Sequence, residues 1–207
     1  MSEDPGDVGP GDVGRSDAGP GDTAPSDTGR AGDDGARANA RSHAKRRRWV
    51  AVELWRLVLP VLWLGLIVAI SFIEAPLKFQ APGITIPLGL GIGRLVFATL
   101  NMVEGAILIA YTVLALWPAE IRLAGRRLII WAGLAAVLVF KVAVVRPPLN
   151  ARTDLVLQGA EPGQSLWHYV YIACDLATVV LLILAAVTAA RAVLSGPEQR
   201  SAQYLRP

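Results

Sequence analysis

Three charged residues interrupt long apolar stretches of the chain: Glu104, Lys141 and Asp175. They lie in the apolar runs 95–117, 128–145 and 167–190. A charge at the middle of a bilayer costs about 2.5–3.5 kcal/mol on insertion scales, so such residues usually face the protein interior and mark a functional site. The sequence therefore predicts an intramembrane pocket in which two carboxylates and an ammonium could bind a small solute, an ion or a proton.

The spacing of the neighbouring polar residues predicts one shared pocket. Residues three or four positions apart lie on the same face of a helix. Asn101 and Glu104 share such a face, and so do His168, Tyr171 and Asp175. If both faces turn inward, the candidate pocket and ion-binding residues are Glu74, Lys78, Arg94, Asn101, Glu104, Lys141, His168, Tyr171 and Asp175.

These residues also have less specific interpretations. Glu104 and Lys141 could form a structural salt bridge that only fixes how two helices pack. His168 follows Trp167 at a predicted membrane boundary, where aromatic belts form, and no closely spaced second ligand supports a metal site there. We predict no catalytic residue and no metal ligand, because no hydrolase, nucleotide-binding or zinc signature occurs. A cofactor is not specified by the sequence.

Four apolar segments must position these residues. Leu57–Ile73 is free of charge, and each of the three runs named above is long enough to form most of a membrane helix. A bilayer core needs about 20 apolar residues of helix. The sequence predicts an all-α membrane protein, with four transmembrane helices in a bundle and spans at about 52–74, 94–117, 127–146 and 167–191.

Basic residues set the expected orientation, because short cytoplasmic loops are rich in Lys and Arg. They precede the first span, lie between spans two and three, and follow span four. Both termini are therefore predicted to be cytoplasmic, in the cytoplasmic (inner) membrane. Glu104, Lys141 and Asp175 then fall in the outer half of the bilayer, the pocket opens outward, and the cytoplasmic half of the bundle is predicted to be purely apolar.

The N-terminal segment differs in composition from the rest of the chain. Residues 1–40 carry an acidic Pro/Gly repeat with an aspartate at every fifth position from Asp7 to Asp27, and we predict a disordered tail. A calcium-binding repeat would need ligands that wrap one ion, and their spacing is absent. A basic juxtamembrane cluster (41–49) and a cytoplasmic tail (194–207) flank the membrane domain (50–193). Because the positive charge flanks apolar runs, the pI near 9.3 predicts no nucleic-acid partner.

The stretch SFIEAPLKFQAPGITIPLGLGIGR (71–94) separates the first two spans. Its prolines Pro76, Pro82 and Pro87 should prevent a continuous helix. We predict that 75–93 is an irregular segment that covers the polar cluster from the outer side. The next outer loop, which begins RPPLN at 146, is likewise predicted to start with a proline stop.

Residues 72–104 and the later stretches RPPLN, TDLVLQG and SLWHYVY resemble an uncharacterised family of small bacterial integral membrane proteins of actinobacterial type. The resemblance covers about 50–193. It implies four membrane helices and assigns no reaction, so no catalytic role is transferred to this chain.

The sequence predicts a multi-pass membrane protein that binds or translocates a small solute, ion or proton through an outward-facing polar pocket. Four spans are few for a monomeric transporter, so this hypothesis implies a homo-oligomer. The alternative is a non-catalytic membrane subunit that packs against a membrane partner, with the charges holding helices together. In both cases the expected environment is the lipid bilayer, and an enzyme is the least supported class.

Overall fold

A computed structural model of the chain describes residues 27–117, 119–160, 163 and 165–204. The chain divides into two compact units, Met1–His43 and Ala44–Pro207. All the contacts of the candidate site lie in the second unit. The described residues form helices and contain no β-strand.

The helices follow one another with short connections. Helix α1 (Asp27–Ile67) continues as a π-helical segment (Val68–Glu74), α2 (Ala75–Leu77) and a 3₁₀ turn (Lys78–Gln80). Helix α3 spans Ile86–Leu116, and a second 3₁₀ turn (Ala119–Ile121) follows it. Helix α4 (Arg126–Phe140) continues through a π-helical segment (Lys141–Val145) into α5 (Arg146–Leu157), and α6 spans Leu166–Tyr204.

Four of these continuous helical stretches are long and apolar enough to cross a membrane, as the sequence predicts. We call them span 1 (Gly35–Gln80), span 2 (Ile86–Leu116), span 3 (Gly125–Leu157) and span 4 (Leu166–Ser195). All four extend beyond the predicted boundaries at one or both ends. The largest extensions are those of span 1, which begins 17 residues before 52, and of span 3, which continues eleven residues past 146.

Each span buries a narrow stripe and exposes the rest of its apolar surface. Span 3 buries Ile130, Leu134, Leu138, Lys141 and Val145, at intervals of three or four residues. Outward-facing side chains such as Met102 and Ile109 are about two-thirds exposed or more. A water-soluble domain would bury more of these apolar side chains. On a surface that faces lipid, exposed apolar side chains are expected. Helix α4 packs mainly against α6, and α3 packs against α4 and α5.

The prolines do not interrupt the helices as predicted. Span 1 runs through Pro76 to Gln80, and only residues 81–85 lie between spans 1 and 2. Pro87 occupies the first turn of α3, where the missing N–H needs no partner. The pair Pro147–Pro148 directly follows the π-helical segment Lys141–Val145 inside span 3. The predicted irregular segment 75–93 is therefore mostly the helical ends of spans 1 and 2.

The structure describes only part of the two terminal segments. Helix α1 begins at Asp27, so residues 27–40 are helical here, inside the segment predicted to be a disordered tail. The repeat ends near this point, and no proline follows Pro25 until Pro60, while alanines become frequent. The basic cluster 41–49 also belongs to α1. Residues 1–26 lie outside the described residues, and helix α6 extends to Tyr204 within the predicted C-terminal tail.

Candidate functional site

A buried cluster of three charged side chains lies between spans 2, 3 and 4. Lys141 Nζ is 2.9 Å from Glu104 Oε1, 2.8 Å from Glu104 Oε2 and 2.9 Å from Asp175 Oδ1. The side chains of Lys141 and Glu104 are fully buried, and that of Asp175 is 2% exposed. We call these three residues the central cluster. It carries one positive and two negative formal charges.

Aromatic and amide groups complete the environment of the central cluster. Trp63 of span 1 donates its Nε1–H to Glu104 Oε1 at 3.0 Å. The Lys141 ammonium lies 5.3 Å from the centroid of the Tyr171 ring, a cation–π contact. Tyr171 in turn donates its hydroxyl to Asn101 Oδ1 at 3.3 Å. All four spans therefore contribute a side chain to the cluster or its immediate neighbours.

The positions of these side chains follow from helix periodicity. Asn101 and Glu104 belong to the buried stripe of α3, and Tyr171, Asp175 and Thr178 belong to that of α6. Lys141 continues the buried stripe of α4 and begins the π-helical segment Lys141–Val145. Single π-helical turns are frequent at functional sites. The second π-helical segment, Val68–Glu74, lies next to the same region through Ser71 and Phe72.

A cavity of about 520 Å³ adjoins the central cluster. Asp175 and Tyr171 line it, whereas Lys141 and Glu104 do not, so the cavity reaches the cluster through Asp175. Its apolar walls include Phe72, Phe79, Leu90, Phe97, Leu149 and Ile172. Its other polar lining residues are Ser71, Lys78, Arg94, Arg146, Asn150, Thr153 and His168.

Two of the lining cations are paired with carboxylates behind the cavity wall. Lys78 Nζ is 3.4 Å from Glu74 Oε2, one helical turn earlier. Arg94 Nη1 donates to Asp154 Oδ1 and so joins span 2 to α5. Neither Glu74 nor Asp154 lines the cavity. Basic groups therefore face the cavity, while their partners lie outside its lining.

Glycines of α3 allow the end of span 1 to lie close to span 2. A Cβ at Gly89 would lie 2.3 Å from a carbon of the Phe79 ring, and one at Gly93 would lie 2.9 Å from Lys78 Nζ. The same ammonium lies 5.4 Å from the Phe97 ring centroid. Gly89 and Gly93 therefore make the room in which Phe79 and Lys78 form the cavity wall.

The structure brings most of the sequence-predicted residues to this region. Glu104, Lys141 and Asp175 meet directly, as the sequence predicts for Glu104 and Lys141, and Asn101 and Tyr171 adjoin them. Lys78, Arg94 and His168 lie on the cavity wall, His168 with an exposed side chain. Glu74, also a predicted pocket residue, does not line the cavity and pairs with Lys78. Among the described residues, no group of three His, Cys, Asp or Glu side chains is placed to hold a metal ion.

A second buried cluster contradicts the prediction that the other half of the protein is purely apolar. Glu53 Oε1 is 2.8 Å from Arg56 Nη1, and Arg127 donates to both oxygens of Glu53 at 3.0 and 2.6 Å. The side chains of Glu53 and Arg56 are fully buried. They precede Trp63 by ten and seven residues, roughly 10–15 Å along the helix. Arg56 also donates to the carbonyl of Leu114, at the end of α3.

This second cluster carries a sequence signal that the charge pattern alone does not reveal. The buried stripe of α1 contains Glu53, Arg56, Pro60, Trp63 and Ile67, at intervals of three or four residues. Glu53 and Arg56 thus continue the phase of the buried apolar residues. By position, Arg56 and Arg127 look like the basic residues that flank a membrane helix on the cytoplasmic side. Their side chains nevertheless point into the protein and bind Glu53.

No protein-family model, no curated protein and no solved structure matches this chain. The resemblance to small actinobacterial membrane proteins therefore stays a prediction. Function has to be inferred from the cavity and the two charged clusters themselves.

Proposed function

We propose that the chain is a multi-pass membrane protein that binds a small solute in the cavity between its four spans, as the first step of recognition or translocation. The single observation that carries this proposal is that a cavity of about 520 Å³ ends at Asp175, a member of the central cluster. Small-molecule sites typically enclose about 300–1,000 Å³ and combine apolar walls with a few convergent polar groups. The cavity has both features.

Through Asp175, the central cluster places a carboxylate at the cavity where it can bind a proton or a donor group of a solute. A single ammonium is shared by two carboxylates, and only Asp175 borders the cavity. A proton, or a donor group of a solute, can therefore approach Asp175 without first displacing Glu104. The remaining members hold Asp175 in place, because Lys141 is bound to both oxygens of Glu104. In this proposal Asp175 contacts the solute, and Lys141 and Glu104 position it.

The charge pattern outside the cavity supports an orientation for the site. Basic residues gather in the first part of span 1, at 41–48, and from the connection between spans 2 and 3 into the start of span 3, at Arg122, Arg126 and Arg127. Positive residues favour the cytoplasmic side. We therefore propose that both termini are cytoplasmic, that the protein resides in the cytoplasmic membrane as an oligomer of four-helix bundles, and that the cavity opens on the outer side.

One observation favours a second candidate, a non-catalytic membrane subunit whose charges are structural. Glu53, Arg56 and Arg127 form a buried ionic cluster, and none of them lines the cavity. The fold therefore uses one such cluster away from this cavity. If the central cluster has the same role, the cavity is a packing space between helices that is filled by a partner or by lipid.

A thermal-shift assay in detergent with a panel of small carboxylates, phosphates, amines and sugars separates the two candidates. The cavity-filled variant is Ile172→Trp, and the matched control is Leu176→Trp, because Leu176 is half exposed on the same helix and does not line the cavity. A bound solute at 100 times its dissociation constant adds about 2.7 kcal/mol to the free energy of unfolding.

We expect at least one solute class to raise the melting temperature of the wild type and of Leu176→Trp. The same solute should have no effect on Ile172→Trp. An absence of any stabilising solute, or an equal shift in all three proteins, would favour the structural subunit.

A further inference from the structure

The charges that face the cavity are unequally distributed. Its lining contains three basic side chains, Lys78, Arg94 and Arg146, and a single carboxylate, Asp175. That carboxylate is already bound by Lys141 at 2.9 Å. Building on the proposed solute site, we infer that its ligand is an organic anion, a carboxylate or phosphate attached to an apolar body.

The two arginines supply the donors that such an anion requires. Arg146 has no hydrogen bond or salt bridge to another residue in the described part of the chain. Arg94 directs Nη1 to Asp154, but a guanidinium carries five N–H donors, so most of them remain for a ligand. Planar guanidinium groups bind carboxylate and phosphate in two-point geometry. For a cationic solute the lining offers one carboxylate, Asp175, and Lys141 already binds it.

The remaining lining fits the apolar part of an amphiphilic anion. Aromatic and aliphatic side chains of Phe72, Phe97, Leu149 and Ile172 form the walls. The hydroxyl oxygen of Ser71 also lies at this cavity, buried and without a hydrogen-bond partner. A buried hydroxyl without a partner costs free energy, and an oxygen of the ligand would provide that partner.

The preference arises from the placement of charges and not from a net excess. Lys78, Arg94, Arg146 and Lys141 are balanced in number by Glu74, Glu104, Asp154 and Asp175. Three of the cations face the cavity, whereas three of the carboxylates lie outside its lining. Glu74 and Asp154 are about one-third and one-half exposed, so solvent screens them more than it screens Lys78. The field inside the cavity is therefore positive.

A cysteine placed in the cavity measures this field directly. Thr153 lines the cavity, and the native Cys174 is removed by Cys174→Ser in every variant. Thr153→Cys is treated with sulfonatoethyl methanethiosulfonate, an anion, and with trimethylammonioethyl methanethiosulfonate, a cation. The control is Gln158→Cys, an exposed position at the end of α5 that does not line the cavity. It corrects for the intrinsic reactivities of the two reagents.

We expect the anionic reagent to be favoured at Thr153→Cys by about fivefold over the ratio at Gln158→Cys. Adding Arg146→Gln should remove most of this preference, and adding Arg146→Lys should retain it. A ratio equal to that of the control, or a preference for the cation, would overturn the anion assignment. If Thr153→Cys still reacts in that case, the solute site itself survives. If neither reagent reaches Thr153→Cys although the denatured protein reacts, the proposed function fails as well.

The anion could come from water or from the bilayer, and protection of Thr153→Cys distinguishes the two sources. Octanoate is added to protein in phosphatidylcholine vesicles, and a second sample is placed in vesicles that contain phosphatidylglycerol. Slower modification with octanoate alone indicates a soluble organic acid, and slower modification in the phosphatidylglycerol vesicles alone indicates a lipid headgroup. Both results support the inferred ligand chemistry. Protection by neither probe, or equal protection in Arg146→Gln, would contradict it.

Discussion

Lys141 binds both carboxylate oxygens of Glu104, with Nζ 2.9 Å from Oε1 and 2.8 Å from Oε2. The same ammonium lies 2.9 Å from Asp175, so one cation serves two buried carboxylates. A simple pair would make the loss of either partner equally costly. In this cluster the loss of a carboxylate charge leaves a balanced pair, whereas the loss of the ammonium leaves two buried negative charges facing each other.

Variants of the central cluster should therefore differ strongly in stability. We expect Lys141→Met to lower the free energy of unfolding by about 3–5 kcal/mol, because it leaves buried charges without a partner. Glu104→Gln and Asp175→Asn should each cost less, about 1.5–3 kcal/mol, the range for hydrogen bonds to charged groups. Thermal unfolding in detergent, followed by circular dichroism, provides the measurement.

Repair of the Lys141→Met defect provides the control. Lys141→Met combined with Glu104→Gln still leaves Asp175 charged, so stability should return only in part. The triple variant that adds Asp175→Asn should recover most of the loss. Equal losses for the three single variants, or no recovery in the triple variant, would show that the three side chains do not act as one ionic unit.

The hydrogen bond from Trp63 to Glu104 can be compared with a neutral bond in the same protein. Trp63 Nε1 donates to a carboxylate at 3.0 Å, and Trp131 Nε1 donates to the Thr112 hydroxyl at the same distance. Hydrogen bonds to charged groups contribute about 1.5–3 kcal/mol, and neutral ones about 0.5–1.5 kcal/mol. We expect Trp63→Phe to lower stability more than Trp131→Phe. In the Glu104→Gln background the stability losses of Trp63→Phe and Trp131→Phe should become more alike. If the difference between the two losses stays unchanged, it reflects packing alone.

The second cluster should show the opposite charge dependence. Glu53 is one carboxylate between Arg56 and Arg127. Glu53→Gln leaves two cations together and should lower the free energy of unfolding by about 3–5 kcal/mol. Arg127→Gln leaves the balanced pair of Glu53 and Arg56 and should cost less. Chemical denaturation of both variants tests this order, and a larger loss for Arg127→Gln would contradict the assignment of Glu53 as the shared centre.

Helix periodicity explains how much of the central cluster could be predicted from the sequence. Glu104, Lys141 and Asp175 stand alone in apolar runs, so their burial and common depth follow from their positions. Glu53 and Arg56 lie at the start of an apolar run, where a flanking charge normally remains in water. Their burial depends on Arg127 from another helix. The sequence indicates that Glu53 and Arg56 face inward only through their helical spacing from Trp63, which places all three on one stripe.

The effect of the prolines could not be predicted from residue type alone. Pro76 and Pro147 follow π-helical segments, and Pro87 follows the N-terminal residue Thr85, whose hydroxyl accepts from the amide of Leu88. At Pro87 the missing N–H has no helical partner to lose, because the residue lies in the first turn of α3. Pro76 and Pro147 lie inside continuous spans, within two residues of the end of a π-helical segment. The cavity wall thus consists of helix ends, where the sequence suggested an irregular covering segment.

Two glycines of α3 should respond oppositely to alanine. At Gly105 an added Cβ meets nothing within 4 Å, so Gly105→Ala should stabilise the helix by about 1 kcal/mol. At Gly89 the new Cβ would lie 2.3 Å from the Phe79 ring, and crowding of this kind costs about 1–3 kcal/mol. We expect Gly89→Ala to lower the melting temperature and Gly89→Ala with Phe79→Ala to recover it. A gain for Gly89→Ala alone would place Phe79 elsewhere.

The proposed function requires a water-accessible cavity that opens on the outer side and ends at Asp175. The most direct measurement is the modification of Thr153→Cys, in the Cys174→Ser background, by a membrane-impermeant thiol reagent in intact cells and in inverted vesicles. We expect modification in intact cells, strong slowing by Ile172→Trp and little change with Leu176→Trp. Modification in inverted vesicles alone, or none in either preparation while the denatured protein reacts, would contradict it.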